Sequence, residues 1–259
     1  MDLGIADKRA LVTGASKNLG AAIAKALAAE GCRVSIVARD GTKLRAVFEE
    51  IGGFARGHNY LAIDLLTPGA PTRVVSELAK IDDSFDIVVH NVGGALGYKD
   101  PLGQVEDWQQ VWVFNVGIAI EMNRLLIPPM QNQRWGRVIH ISSISAEVGE
   151  PSRHLYGGAH PYAAAKAYLN AYVKGLGREL AADNVIVTAL MPGVLLSPGK
   201  YWDKLRHTNP ELVQDFLTHH CASGRFGTAE EIAPFAVFLA SQQATFAAGS
   251  IIPIDGGRM

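Results

Sequence analysis

A single doubly wound α/β domain is predicted by three features of this 259-residue sequence. They are short Val- and Ile-rich runs, helical patterns alternating with those runs, and a turn of small residues directly after the first run. Near-continuous apolar runs mark strands buried on both faces, whereas a half-exposed sheet shows strict alternation. Strand, helix and strand within one sheet imply a right-handed crossover and parallel pairing. No linker-like change of composition, low-complexity tract or short repeat divides the chain. Residues 1–259 therefore read as one domain of about seven strands with helices on both faces.

Arg9–Thr13 (RALVT) predicts the first strand. After the turn Gly14–Gly20, Ile23, Ala26 and Leu27 fall at spacings of three and four and predict a helix that stops at Gly31. Arg33–Ala38 predicts the second strand, Leu44–Ile51 a helix and Tyr60–Ile63 the third strand. Thr72–Ile81 reads as a helix after Pro68 and Pro71, and Phe85–His90 as the fourth strand. A long helix is expected over Val105–Gln131, a fifth strand over Arg137–Ile141, a helix over Tyr162–Ala181 and a sixth strand over Val185–Leu190. The polar stretch 195–224 reads as a lid, followed by a helix over Ala229–Ala240 and a last strand over Ser250–Ile254.

The bulk numbers exclude several classes of function. With 24 basic and 25 acidic residues the formal net charge is −1, which provides no field to attract nucleic acid or an anionic membrane. Two cysteines, Cys32 and Cys221, make neither a disulfide framework nor a zinc site and suit a reducing compartment. The N-terminal MDLGIADKRALVTG lacks the apolar core of a signal peptide, and no apolar run is expected to span a bilayer. A cytoplasmic protein is expected.

Two motifs carry chemistry. Tyr162 and Lys166 stand four apart at the start of a helical pattern, which places them on one helix face. A neighbouring cation favours phenolate over phenol, so the tyrosine is a candidate general acid/base. The turn Thr13–Gly20 (TGASKNLG) joins a strand to a helix through small residues, a place where backbone can approach a pyrophosphate. At the end of the second strand, where an acidic residue would hold a ribose 2′-hydroxyl, stands Arg39, followed by Asp40. With Lys17 nearby in the turn, a 2′-phosphate is favoured, hence NADP, with NAD possible through Asp40.

Taken in order, these motifs resemble the short-chain dehydrogenase/reductase family, in its one-domain type with a Rossmann-type sheet, close to its 3-oxoacyl-ACP-reductase-like members. The resemblance covers nearly the whole chain. It rests on TGASKNLG, Asp64-Leu65, Asn91-Val92-Gly93, Asn115, Ile141-Ser142-Ser143, Tyr162-x-x-x-Lys166, Met191-Pro192-Gly193 and the segment Gly224–Gly257. It implies an oxidoreductase that interconverts a carbonyl and a secondary alcohol. Tyr162 would exchange a proton with the substrate oxygen, and Lys166 would lower the tyrosine pKa and hold the ribose. Ser143 would hydrogen-bond the substrate, and Asn115 would hold a relay water. Gly14, Ser16, Lys17, Asn18, Leu19, Gly20, Arg39, Asp64, Leu65, Asn91, Gly93, Pro192, Gly193, Val194 and Ser197 would contact the cofactor. Ser143 is preferred to Ser142 because the family's active serine is usually the last of the run, and alternation sends the two side chains opposite ways. The family also implies a homotetramer packed through the long helix, the Tyr162 helix and the C-terminal strand. Two other functional classes stay open: a non-catalytic dinucleotide-binding sensor or assembly protein, and a non-redox dehydratase- or epimerase-like member. An enoyl-reductase reading is disfavoured, because that branch spaces its tyrosine and lysine more widely.

The sequence departs from the family pattern in three places. Asn18 replaces a glycine in the turn, which asparagine's tolerance of unusual backbone angles should accommodate. His90 precedes Asn91 and reads as a packing residue. The interval from Ser143 to Tyr162 is longer than usual, with Arg153, His154, Tyr156 and His160 in the added segment. Those side chains could hold a polar or anionic substrate, or pack against a neighbouring subunit. In the lid, His219-His220 beside Cys221 has no second ligand cluster and reads as surface.

Overall fold

The computed structural model describes residues 1–81, 84–149 and 158–258. In it the chain runs β1 (Arg9–Thr13), α1 (Asn18–Ala29), β2 (Arg33–Ala38), α2 (Gly41–Glu50), β3 (Asn59–Ala62), α3 (Ala70–Leu78) and β4 (Ile87–His90). It continues with α4 (Val105–Trp112), α5 (Ile118–Asn132), β5 (Gly136–Ile141), the short α6 (Ser145–Val148), α7 (His160–Leu180) and β6 (Val185–Pro192). Last come α8 (Tyr201–Thr208), α9 (Pro210–His220), α10 (Ala229–Leu239) and β7 (Ile251–Ile254). The strands form one sheet in the order β3-β2-β1-β4-β5-β6-β7, and every neighbouring pair is parallel. The order reverses between β1 and β4, which opens a crevice at the carboxyl ends of the strands.

Each strand feeds two cores. Val12 and Ile36 pack on one face with Ile23, Leu27 and Ala236, beneath α1, α2 and α10. Leu11 and Val37 pack on the other with Val74, Met122 and Val173, beneath α3, α5 and α7. Alternating side chains that are apolar on both sides explain why the runs read as continuous. The start of α10 is set locally: Thr228 and Glu231 form a reciprocal capping box, and Arg225 grips Glu231 with two nitrogens at 2.6 and 2.9 Å.

Two expectations are corrected. The long helix is interrupted by a π turn over Val113–Gly117, where the Asn115 side-chain amide donates to the Val111 carbonyl at 2.8 Å. A side chain that takes the i−4 carbonyl displaces the backbone bond to that group and widens the turn, as π-bulges at functional sites do. The continuous helical span Val105–Asn132 is also long and apolar enough to cross a membrane by length and composition, contrary to the expectation from sequence. Half of its apolar 18-residue part is buried inside the fold, with Met122, Leu126, Ile127 and Met130 in the core, so its apolar content is accounted for by packing. The stretch 195–224, expected as a lid, also has internal order: Trp202 lies 4.1 Å from Phe216 and 5.3 Å from Phe226 between ring centroids, and joins α8 to α9. In that stretch His219 pairs with Asp215 and His220 packs on Phe216.

Candidate active site

The turn after β1 is shaped by backbone needs. Gly14 has φ +66° and Asn18 φ +49°, the left-handed conformation that asparagine tolerates. A Cβ at Gly20 would collide with the Gly14 carbonyl oxygen and lie 2.5 Å from Asn91 Nδ2, so α1 can approach the strand end only with glycine there. The Asn91 amide nitrogen donates to the carbonyls of Thr13 and Gly14, both at 3.2 Å, and the backbone N–H of Asn91 donates to Thr13 Oγ1 at 3.0 Å. These bonds tie the end of β4 to the end of β1.

Above this join lies a cavity of about 340 Å³. Its walls include Gly14, Ser16, Lys17, Asn18, Leu19, Gly20, Arg39, Asp64, Leu65, Asn91 and Gly93, all expected from the sequence to meet a cofactor. Ala38, Ile63, Val92, Phe114 and Lys200 also line it and were not foreseen. Arg39 is largely exposed and 4.0 Å from Asp64. Asp40 is turned away to cap α2: its carboxylate accepts from the Lys43 backbone N–H at 3.1 Å and from Lys43 Nζ at 2.6 Å. The cationic side chains and exposed turn fit the phosphates of a dinucleotide, and the diversion of Asp40 leaves Arg39 on the cavity wall at the end of β2.

At the neighbouring end of the crevice, Lys166 is buried, and its Nζ donates to the Ile141 carbonyl at 2.7 Å while lying 5.6 Å from the centroid of the Tyr162 ring. Burial pushes its ammonium down to about 7. Asn115 is held at the π turn and binds the loop after β4: its amide nitrogen donates to the Gly94 carbonyl at 2.8 Å, and its Oδ1 accepts from Gly94 N–H at 3.0 Å. A Cβ at Gly93 would stand 2.6 Å from Asn115 Oδ1 and 3.0 Å from Lys166 Nζ. The glycine therefore lets loop, asparagine and lysine meet. Tyr162 is half-buried near the start of α7, where it packs with Val111, Val116 and Ala165.

The serine pair splits. Ser142 is buried and donates to Asn170 Oδ1 at 2.6 Å. Ser143 is half-buried, and its Oγ lies 3.2 Å from Ser145 Oγ and accepts from Ser145 N–H at 3.2 Å. Beyond β6, Gly193 and Val194 line a second cavity of about 360 Å³ with Arg225, Glu231 and Asp255. Ser197 accepts a backbone bond from Lys200, and Pro192 closes β6. Arg153, His154 and Tyr156 lie outside the described residues, whereas His160 opens α7.

His90 has more partners than a packing residue needs. It stacks on His140 with centroids 4.8 Å apart, and its Nε2 is 2.7 Å from Asn123 Oδ1. The Asn123 amide nitrogen donates to the Tyr172 hydroxyl at 3.1 Å. Burial holds His90 at about 4 and keeps His140 well below the ordinary imidazole range. Nothing local in the sequence marks this cluster, because its four members come from four elements.

A family profile described as enoyl-(acyl carrier protein) reductase matches residues 14–258. The 3-oxoacyl-[acyl-carrier-protein] reductase of Aquifex aeolicus is 30% identical over 259 residues, which is 99% of each chain. A 2-dehydro-3-deoxy-L-rhamnonate dehydrogenase (NAD(+)) of Sphingomonas is 29% identical over 255 residues, covering 98% of this chain and 96% of that one. Among solved structures, L-sorbose reductase from Gluconobacter frateurii, complexed with NADPH and L-sorbose, superposes with a TM-score of 0.88 at 32% identity over 100% of this chain and 99% of that one. A 3-oxoacyl-(acyl-carrier-protein) reductase from Agrobacterium tumefaciens with NADP bound has a TM-score of 0.87 at 30% identity, covering 98% and 95%. By profile, identity over its whole length and fold, the chain belongs to the short-chain dehydrogenase/reductase family of NAD(P)-dependent oxidoreductases.

Proposed function

We propose that this protein is an NADP(H)-dependent oxidoreductase that interconverts a carbonyl and a secondary alcohol, with Tyr162 as general acid/base. The observation that carries the reading is the buried Lys166, held by the Ile141 carbonyl beside the Tyr162 ring and against Gly93 and Asn115. The cofactor supplies or accepts the hydride, and the protein orients the reactants and moves the proton. Tyr162 donates its hydroxyl proton to the oxygen formed from the carbonyl, and accepts it back in the oxidative direction. Lys166, when protonated, stabilises the phenolate left behind. Ser143 holds the substrate oxygen from the other side, and Asn115 fixes the loop and a relay water. The turn residues Gly14 to Gly20, with Arg39, Asp64, Leu65, Asn91 and Gly93, bind the dinucleotide. Pro192, Gly193, Val194 and Ser197 lie along its nicotinamide end.

NADP is preferred to NAD because Arg39 faces the cleft while Asp40 is occupied by Lys43. The substrate is a small carbonyl compound or alcohol enclosed by the 195–224 lid, and residues 1–259 act as one domain. A cytoplasmic homotetramer suits the chain: Cys32 and Cys221 are free and buried, and Tyr168 of α7 and Val113 beside α4 expose apolar surface where helices of a partner copy would pack. The test is NADPH oxidation followed at 340 nm across a panel of carbonyl compounds. Turnover that disappears in Tyr162→Phe while NADPH still binds supports the reading. NADPH binding with no turnover of any carbonyl or alcohol would sink it.

A further inference from the structure

Lys200 reaches the cleft from the lid. It is the residue before α8, yet it lines the same cavity as Lys17 and Arg39, which come from the turn after β1 and the end of β2. Its backbone is anchored on both sides: Lys200 N–H donates to the Ser197 carbonyl at 3.1 Å, and Gly199 N–H donates to Asp203 Oδ2 at 2.7 Å. Gly199 takes φ +71° at the bend, and Asp203 is itself held by Arg206 at 2.8 Å. The lysine is thus presented by a built turn.

Three cations converging in one cleft repel each other. Burial lowers the Lys200 ammonium below its ordinary range, and Lys17 and Arg39 push it the same way. Among the described residues, the ion pair found for these three is Arg39 with Asp64, a long 4.0 Å contact between exposed side chains. Such an arrangement costs stability in the free protein and is relieved by a multiply charged anion. A 2′-phosphate, at about −1.5 to −2 charge, is an anion of that kind, and it belongs at the end of β2 where Arg39 stands.

We infer that Lys200 is a third cation for the 2′-phosphate of the dinucleotide, carried by the lid, so that the phosphorylated cofactor draws the lid onto the cleft. This rests on the NADP(H) reading above and goes beyond it: selectivity for NADP is divided between the sheet and the lid. NADH would then bind without engaging the lid in this way.

The experiment is a fluorescence titration of the full chain with NADPH and NADH, using wild type, Lys200→Met and Lys200→Arg, with 2′,5′-ADP and 5′-AMP as competing fragments. Lys200→Met is expected to weaken NADPH and 2′,5′-ADP about tenfold, and to leave NADH and 5′-AMP within about twofold. Lys200→Arg should keep most of the NADPH affinity. In parallel, NADPH but not NADH should slow chymotryptic cleavage beside Tyr201 and Trp202 in wild type, and this protection should vanish in Lys200→Met. Unchanged NADPH affinity in Lys200→Met overturns the inference, and so does an equal loss for NADPH and NADH. Either result leaves the oxidoreductase reading standing. Wild type that binds NADPH no better than NADH overturns the inference together with the choice of NADP.

Discussion

The two sides of the crevice are built differently. The cofactor side is assembled from turns at the ends of β1 and β4, where backbone groups and one asparagine tie neighbouring strands together. Each part needs only a few consecutive residues and a tolerated backbone angle. The other side, around the proposed lid, is assembled from packed side chains: Trp202, Phe216 and Phe226 form an aromatic cluster that joins α8 to α9, and Lys99 lies over the Tyr201 ring at 5.5 Å. A cleft made of backbone is specified by short motifs and admits few substitutions. A lid made of packed aromatics can change its lining without changing the fold, which is where specificity is free to vary.

The largest effects should fall where the two sides meet. Tyr162→Phe removes the proton donor and leaves the ring packed on Val111 and Ala165. Turnover should drop about 10²- to 10⁴-fold, with NADPH affinity kept within a few-fold, read from initial rates and a binding titration. Gly20→Val tests the cofactor side. Its side chain would run into the Gly14 carbonyl and the Asn91 amide, and should cost about 1–3 kcal/mol of stability together with most of the cofactor affinity. A Gly20→Val protein with wild-type melting and NADPH affinity would show that the close approach of α1 to β1 is not required.

This contrast also governs what could be read from the sequence. All seven strands lie within two residues of their expected bounds at each end, because buried parallel strands print their burial directly as Val/Ile runs. Gly14, Asn18, Arg39 and Asn91 were legible because each position answers a local need: a positive φ, a strand end or a turn. The π turn at Asn115 was not, since its cause is a side chain taking its own helix's carbonyl, which leaves no mark on apolar periodicity. Lys200 was not legible, because its place on the cavity wall depends on the turn before α8, which Asp203 and Ser197 hold. The pairing of His90 with His140 needed the parallel register of β4 on β5, which places those two residues side by side.

Smaller effects should sharpen the division. Arg39→Asp should shift preference from NADPH toward NADH by about tenfold or more in the ratio of kcat/KM, because the guanidinium that faces the cleft becomes a carboxylate. Equal use of both cofactors by wild type would count against the assignment. On the lid, Trp202→Ala removes the ring that bridges Phe216 and Phe226. KM for the carbonyl substrate should rise about tenfold, with little change in NADH affinity and a small change in melting temperature. A lid substitution that unfolded the whole chain would make the lid part of the core, and the contrast between the two sides would fall.

The smallest effect concerns a region that belongs to neither side. His90 is held near 4 by burial, against an ordinary value of 6.5, in contact with His140 and Asn123. The unfolded chain therefore binds more protons than the folded one between about pH 6.5 and 4, and that excess lowers stability as the pH falls through this window. Above pH 6.5 the term is absent. His90→Asn removes the titrating ring and can keep a hydrogen bond to Asn123. In chemical denaturation between pH 7.5 and 4.5, wild type should lose on the order of 2 kcal/mol more than His90→Asn, with the two curves parallel above pH 7. His140, also held low by burial, leaves part of the acid loss in the variant. Parallel curves through the whole range would assign the acid loss to groups other than His90. His90 would then be a packing residue alone, as expected from the sequence.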